Sequence, residues 1–233
     1  MFLAMQVDGF SSSINAELTR GDEVASLLAD TRIWRGRQTQ APHRLATLPT
    51  GWPALDEMLP GGGWPVGALT EMLTGRDGLG ELSLLLPALA QLTDAKRENA
   101  WIAWIAPPHV PYAPALAAAG ISLERVLVVE TEAMAKGDKQ ALWAAEQTLR
   151  SGLCAAVLGW FSRVDDRGLR RLQLAAQEGR AWGVAFRDQR HRGTPSPAAL
   201  RLAVGPSASL GIDVDIVKCR GTRPGRVHCS YPT

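Results

Sequence analysis

The chain has 233 residues, of which 46% are hydrophobic and 21% are charged, so it can bury a sizeable core and is not a disordered protein. Its longest apolar runs are far shorter than the ~20 residues of a membrane-spanning helix, and the N-terminus lacks the features of a secretory signal. Its three cysteines cannot form a disulfide framework, and their spacing matches no zinc pattern. We expect a cytoplasmic globular protein without a membrane anchor, a metal or a cofactor.

The charge of +2 is unevenly distributed along the chain. Residues 46–162 hold 7 basic and 12 acidic side chains, whereas residues 163–233 hold 13 basic and 6 acidic side chains. A basic C-terminal third suits contact with nucleic acid, another anion or an acidic partner. A solvated charged surface explains the same pattern equally well.

Hydrophobic periodicity predicts an N-terminal helical arm and linker over residues 1–45, with a helix at 14–33. Strands then alternate with helices, which predicts an α/β fold with a mostly parallel central sheet flanked by helices. Later strands without helices between them predict an antiparallel extension at one edge. We place the core at residues 46–218 and a basic, flexible tail at 219–233. The predicted helices are 53–59, 80–94, 111–120, 138–152 and 165–179, and the predicted strands are 66–73, 101–106, 125–130, 153–161, 181–187, 199–204, 212–218 and 226–229.

One turn between a strand and a helix has the glycine frame of a phosphate-binding loop. It runs from Gly75 to Gly80, the spacing of the GxxxxGK[ST] motif, whose amides hold phosphate, whose lysine neutralises it and whose hydroxyl binds magnesium. Here Glu81 stands at the lysine position and Leu82 at the hydroxyl position. A carboxylate repels phosphate and leucine cannot bind a metal, so the loop is degenerate.

The segment from residue 50 through this loop resembles RecA-type ATPases. The motifs IWRGR (33–37), TGWPALD (50–56) and LPGGGWP (59–65) are closer still to the ImuA family, RecA-like proteins of bacterial translesion DNA synthesis that overlap in sequence with SulA-like cell-division inhibitors. The resemblance covers roughly residues 30–220. It implies a RecA-like core.

The resemblance also implies where the chemistry of an ATPase would lie. The water-activating acid corresponds to Pro108 and the magnesium-linked aspartate to Gly159, whereas the nucleotide-sensing glutamine is retained as Gln189. A basic pair that reaches a neighbour's nucleotide in RecA filaments corresponds to Lys218 and Arg220. We therefore predict a pseudo-ATPase, which is not an enzyme, with no catalytic residues.

In RecA-type proteins, loops after two central strands bind single-stranded DNA. The corresponding stretches here are short but rich in arginine, which binds phosphate well, and few aromatic residues interleave with them. We predict that these arginines contact either DNA or a partner protein, and that DNA binding would be weak and independent of sequence. The alternative is that they form a solvated helix face without a ligand. The candidate residues are Arg163, Arg167, Arg170, Arg171, Arg187, Arg190, Arg192, Lys218 and Arg220.

The resemblance implies a non-catalytic adaptor in SOS-induced mutagenic translesion synthesis. Its expected partners are an ImuB-type Y-family-like polymerase protein, RecA and a second replicative-type polymerase, with self-association also open. One alternative is a SulA-like inhibitor that binds the division protein FtsZ. A second alternative is a weak nucleotide-binding ATPase.

Overall fold

A computed structural model of the chain describes residues 46–94, 101–131, 137–207, 209–221 and 223–231. The predicted N-terminal helical arm lies outside these residues. Within the described part, no helix combines the length and the apolar character needed to cross a membrane.

Strands and helices alternate along most of the described chain, as the hydrophobic pattern predicts. Proline at the first position begins α1, Gly80 precedes α2, and the Asp165 carboxylate caps α5 by accepting a hydrogen bond from the Gly168 amide at 2.8 Å. The elements are β1 (Thr47–Leu48), α1 (Pro53–Met58), β2 (Trp64–Pro65), β3 (Leu69–Thr74), α2 (Glu81–Leu92), β4 (Trp101–Ile105), α3 (Ala113–Ala118), β5 (Val126–Val129), α4 (Gly137–Ser151), β6 (Cys154–Trp160), α5 (Asp166–Glu178), β7 (Trp182–Asp188), β8 (Leu200–Gly205), β9 (Gly211–Cys219) and β10 (Gly225–Ser230).

Eight strands form one sheet in the order β10-β9-β8-β3-β7-β6-β4-β5, and β1 and β2 form a separate antiparallel pair. The pairings from β8 through β5 are parallel, whereas β8, β9 and β10 follow one another as antiparallel neighbours. The large sheet is therefore mixed.

The prediction of a RecA-like core is wrong, because the protein has a mixed α/β fold: five of the seven pairings in the large sheet are parallel, and β8, β9 and β10 add an antiparallel meander. This meander is the antiparallel extension that the sequence predicts at one edge. Strand positions are easier to read from a sequence than strand directions, since the same apolar run suits either pairing. The strand predicted near 226–229 is present as β10. Residues 219–233, assigned from sequence to a flexible tail, thus contribute a strand to the sheet.

Hydrophobic cores lie on both faces of the sheet. One contains the buried side chains of α1 and α2 together with the stacked pair Trp64 and Trp182, whose ring centroids are 5.1 Å apart. The other contains the inward faces of α4 and α5, including Leu149 and Leu172. Because both faces are covered, the central strands are mostly apolar, with Glu71, Arg187 and Arg201 as buried exceptions, and the polar loops collect at the ends of the strands.

Candidate functional site

An open cleft of about 1370 Å³ lies where the parallel strands β3, β4, β6 and β7 end. Its lining includes Thr74 at the end of β3, Trp160 at the end of β6 and Asp188 at the end of β7. The carboxyl edge of a parallel sheet is where α/β proteins usually place their ligand sites, because the loops that leave the strands converge there. The loop from Gly75 to Gly80 begins in this cleft.

The amides of this loop already hold an anion, the side chain of Glu81. Its Oε1 accepts a hydrogen bond from the Gly78 amide at 2.8 Å, and its Oε2 accepts one from the Leu79 amide at 2.7 Å. Glu81 is the first residue of α2 and is only 5% exposed. The amides that would face a phosphate in a working loop are thus turned towards the protein's own carboxylate.

Other parts of the chain pack against both ends of the loop. Gly80 has φ of +97°, and a Cβ there would lie 3.0 Å from Ile212 and 3.3 Å from the Tyr231 hydroxyl. At the other end, a Cβ on Gly75 would lie 3.1 Å from the side-chain oxygen of Gln189. Gln189 therefore lies against the loop, and residues of and after the last strands close its far side.

Beneath the cleft, three buried charged side chains form a clamp, which we call the Glu71 clamp: Glu71 with Arg187 and Arg201. Glu71 lies in the middle of β3 and is fully buried; its Oε1 accepts from Arg187 at 2.6 Å and its Oε2 accepts from Arg201 at 2.7 Å. One carboxylate between two guanidinium groups leaves a net positive charge in the protein interior. The stability of such an arrangement depends on how many of the remaining donors are satisfied by other acceptors.

Those donors reach the backbone of the two loops that follow β6 and β7. Arg187 donates to the carbonyl of Val164 at 2.8 Å, and Arg201 donates to the carbonyls of His191 and Thr194, both at 2.8 Å. The Nε of Arg187 is buried and has no hydrogen-bond partner among the described residues. The Glu71 clamp therefore fixes the positions of the loops that carry the exposed arginines.

The structure brings three of the predicted basic residues to the cleft, namely Arg163, Arg187 and Arg190. Arg163 and Arg190 are exposed, and Arg190 donates to the Ser162 carbonyl at 3.2 Å. Arg187 belongs to the buried clamp, so it supports the lining and cannot bind a large ligand directly. Arg76, which sequence reasoning missed, also lines the cleft.

The other predicted basic residues lie elsewhere. Arg167, Arg170 and Arg171 lie on the exposed face of α5, where Arg171 pairs with Glu146 of α4 and Arg170 lies 3.8 Å from Asp166. Arg192 pairs with Asp215. Lys218 donates to the Ser196 carbonyl at 2.6 Å and Arg220 to the Pro197 carbonyl at 3.2 Å, so both hold the segment before β8. The proposed pair does not reach the cleft.

The aromatic side chains of the cleft are stacked on one another. Trp160 lies parallel to Phe186, with centroids 4.5 Å apart, and its ring is also 5.6 Å from that of Trp104. Because Trp160 has two aromatic neighbours within stacking range, its ring offers little free face to a nucleobase. Exposed apolar side chains lie beside the cleft instead, among them Val110 (85% exposed) and Val128 (44% exposed).

Sequence reasoning missed Glu71, the partner of Arg187, and Arg201, the second arginine that pairs with Glu71. Both stand inside otherwise apolar strands, and a charge in a buried strand needs an opposite charge close by. That signal indicates that partners exist, but it does not say which strands lie next to each other. Neighbouring β3 and β8 place Glu71 directly opposite Arg201.

The chain is similar in sequence to proteins named SulA and to proteins named ImuA. The SulA of Edwardsiella piscicida is 35% identical over 108 residues, which are 46% of this chain and 61% of that protein. The ImuA of Caulobacter vibrioides (strain NA1000 / CB15N) is 27% identical over 214 residues, 82% of this chain and 84% of that protein. The chain thus matches about three fifths of the length of the SulA relative and most of the ImuA relative.

A solved structure, that of SulA from Pseudomonas aeruginosa, is 28% identical with a TM-score of 0.41 and covers 51% of this chain and 97% of its own. A family model described as "Cell division inhibitor SulA" matches residues 67–183, which is half of the chain and includes the phosphate-loop-like turn, Glu81 and Glu71, whereas Arg187 and Arg201 of the clamp lie beyond the matched range. The RecA-like fold class expected from the sequence gives way to this assignment: the chain belongs to the SulA family.

Proposed function

We propose that this protein does not hydrolyse nucleotides and acts in the SOS response by binding other proteins. The observation that carries the first part is the position of the Glu81 carboxylate on the amides of Gly78 and Leu79. A nucleotide phosphate would have to displace this carboxylate and then lie close to it. Two like charges about 4 Å apart repel by about 4 kcal/mol at the effective dielectric constant of a protein surface.

The similarity to ImuA over most of the chain supports an adaptor role in mutagenic translesion synthesis. The partners we propose are an ImuB-type polymerase protein, RecA and a second replicative-type polymerase. Exposed Val110, Tyr112 and Val128, together with exposed Arg163 and Arg190, give this end of the molecule the apolar and cationic groups typical of protein contacts.

Weak DNA binding is part of the same proposal. The exposed arginines at the cleft suit phosphate, whereas the stacked aromatic residues offer no ready platform for bases. Such binding would be independent of sequence and would weaken steeply with salt.

A second function, inhibition of cell division by binding FtsZ, is favoured by the family match over residues 67–183. Both functions require a protein interface, so they are distinguished by the partner. Overproduction that makes cells filamentous, together with direct binding to FtsZ in a purified system, would favour this second function over the adaptor.

The catalytic part of the proposal is tested by titrating labelled ATP in the presence of magnesium. We expect no saturable binding at micromolar concentrations and no phosphate release. Saturable binding that disappears in Gly80→Val would overturn the proposal, because that variant alters the loop itself.

The adaptor part is tested by co-purification with the ImuB-type protein and with RecA. The variant Arg163→Glu with Arg190→Glu should weaken the association, whereas Arg223→Glu, an exposed arginine outside the cleft lining, is the matched control. If neither protein associates with the full chain, the adaptor function is wrong.

A further inference from the structure

Three polar side chains beside β9 and β10 form a hydrogen-bonded chain at a place unrelated to the cleft. The Nε2 of His228 lies 3.2 Å from the Oγ of Ser209, and its Nδ1 lies 2.7 Å from the Oδ1 of Asp213. A hydroxyl, an imidazole and a carboxylate joined in this order are the arrangement by which proteins activate a serine.

The backbone sets this geometry. Asp213 of β9 and His228 of β10 are directly opposite each other in the antiparallel pairing, so their side chains share one face of the sheet. Gly211 follows Ser209 by two residues with φ of +151°, and a Cβ there would lie 2.8 Å from the Nε2 of His228. Glycine at this position therefore leaves room for the imidazole ring next to the serine.

The two hydrogen bonds assign complementary roles to the ring nitrogens. The Asp213 carboxylate accepts a hydrogen bond from Nδ1–H, and this leaves the lone pair of Nε2 free to accept the hydroxyl proton of Ser209. Ser207 also approaches the ring, but its Oγ is 3.4 Å from Nδ1, the nitrogen that Asp213 already engages. Ser209 is thus the serine in contact with the basic nitrogen.

We propose that Ser209 is a base-activated nucleophile that accepts an acyl group from activated esters. Its Oγ forms a bond to the ester carbonyl carbon while its proton passes to Nε2 of His228. The bond from that carbon to the leaving oxygen then breaks, and the leaving group departs as an alcohol or phenol with the proton from His228. Asp213 is a positioning residue that holds the ring. This reaction is separate from the proposed partner binding.

The surroundings restrict the acyl donor. Ser209 and Asp213 are exposed, and His228 is one-third exposed, so the group lies on an open surface without an enclosing pocket. The neighbouring Leu210 is 73% exposed. Small esters with a good leaving group fit such a site, since little binding energy is available to hold a larger or less reactive substrate.

The test treats the full chain with 4-nitrophenyl acetate, follows nitrophenolate release and locates the acetyl group by peptide mass spectrometry. We expect acetylation of Ser209, with a rate that falls roughly a hundredfold in Ser209→Ala and in His228→Gln, the usual contribution of a positioned base. Ser151→Ala, which changes an exposed serine at the end of α4, is the matched control and should keep its rate. Asp213→Ala should react slowly, and Asp213→Glu should recover part of the rate.

Each outcome decides the proposal. Acetyl on Ser209 that depends on His228 supports it, and so does labelling of the unmodified chain at Ser209 by a fluorophosphonate, which needs no variant to fold. Acetyl on Ser207 or on His228 alone, an unchanged rate in folded Ser209→Ala, or no adduct and no fluorophosphonate label would overturn it. None of these results depends on whether the chain binds a polymerase, RecA or FtsZ.

Discussion

Replacing Glu81 by alanine tests the account of the phosphate-loop-like turn most directly. The change removes the carboxylate that accepts hydrogen bonds from the Gly78 and Leu79 amides, and it leaves the backbone of the loop intact. It also removes a negative charge from the first turn of α2, where it interacts favourably with the helix dipole. We expect the variant to fold with lower stability.

The magnitude follows from the two hydrogen bonds. A hydrogen bond to a charged group contributes about 1.5–3 kcal/mol, but the loop amides lie near the surface and regain water when the carboxylate is removed. We therefore expect a total loss of about 2–3 kcal/mol, at the low end for two such bonds. For a folded unit of this size the midpoint of thermal unfolding should fall by roughly 5–10 °C.

The assay is reversible urea or thermal unfolding, with Glu57→Ala as the control. Glu57 is an exposed glutamate of α1, so removing it should change the free energy of unfolding by less than about 0.5 kcal/mol. Glu81→Gln should lie between the wild type and Glu81→Ala, because an amide can accept from one backbone N–H but not from both.

A free energy of unfolding for Glu81→Ala that matches the control would refute the reasoning. Such a result would mean that the hydrogen bonds from the two amides to the carboxylate contribute little to stability. The conformation of the loop would then not depend on the Glu81 side chain. A larger loss than expected, together with a changed dependence on urea, would indicate that the loop has unfolded as a unit.

Three further predictions follow from the packing. Glu71→Gln should lower the free energy of unfolding by about 3–5 kcal/mol, measured by urea unfolding, because it leaves two buried guanidinium groups without a counter-charge; a loss under 1 kcal/mol would show that the clamp is unimportant. Gly179→Ala should be destabilising by the same assay, because its Cβ would lie 1.8 Å from the Leu149 carbonyl, and a neutral result would contradict this contact. Burial raises the pKa of Cys229 to about 11, with Asp56 and Asp213 adding to it, so iodoacetamide at pH 8 should modify the partly exposed Cys219 first; equal rates would contradict the burial.

The sequence predicts the positions of most elements because their signals are local. Alternation of apolar runs with helical segments locates the five α-helices of the described part to within a few residues, and the meander strands appear as short runs near their observed places. The 3-10 helices Leu123–Arg125 and Gln189–Gly193 were not predicted. Sheet order and direction depend on which strands meet in space. No local pattern states that β3 lies between β7 and β8, so the pairing of Glu71 with Arg201 could not be predicted.

The candidate site was likewise predictable where it depends on residues adjacent in sequence, and not where it depends on residues distant in sequence. Glu81 directly follows Gly80 in the chain, so the sequence alone predicts an anionic side chain at the end of the loop. The interpretation of the basic residues as one surface depends on distant parts of the chain. Arg163 and Arg190 both line the cleft, whereas Lys218 and Arg220 hold the segment before β8 and Arg187 is buried in the clamp.

The Glu71 clamp constrains how sequences of this fold can diverge. Because one carboxylate serves two guanidinium groups, a mutation at Arg187 or Arg201 alone leaves a lone ion pair with broken loop contacts, and a mutation at Glu71 alone leaves two adjacent cations in the interior. Each single step is penalised, so the three positions should change together or not at all. Related chains that have lost Glu71 are expected to carry uncharged residues at both arginine positions and to differ in the length of the loops after β6 and β7.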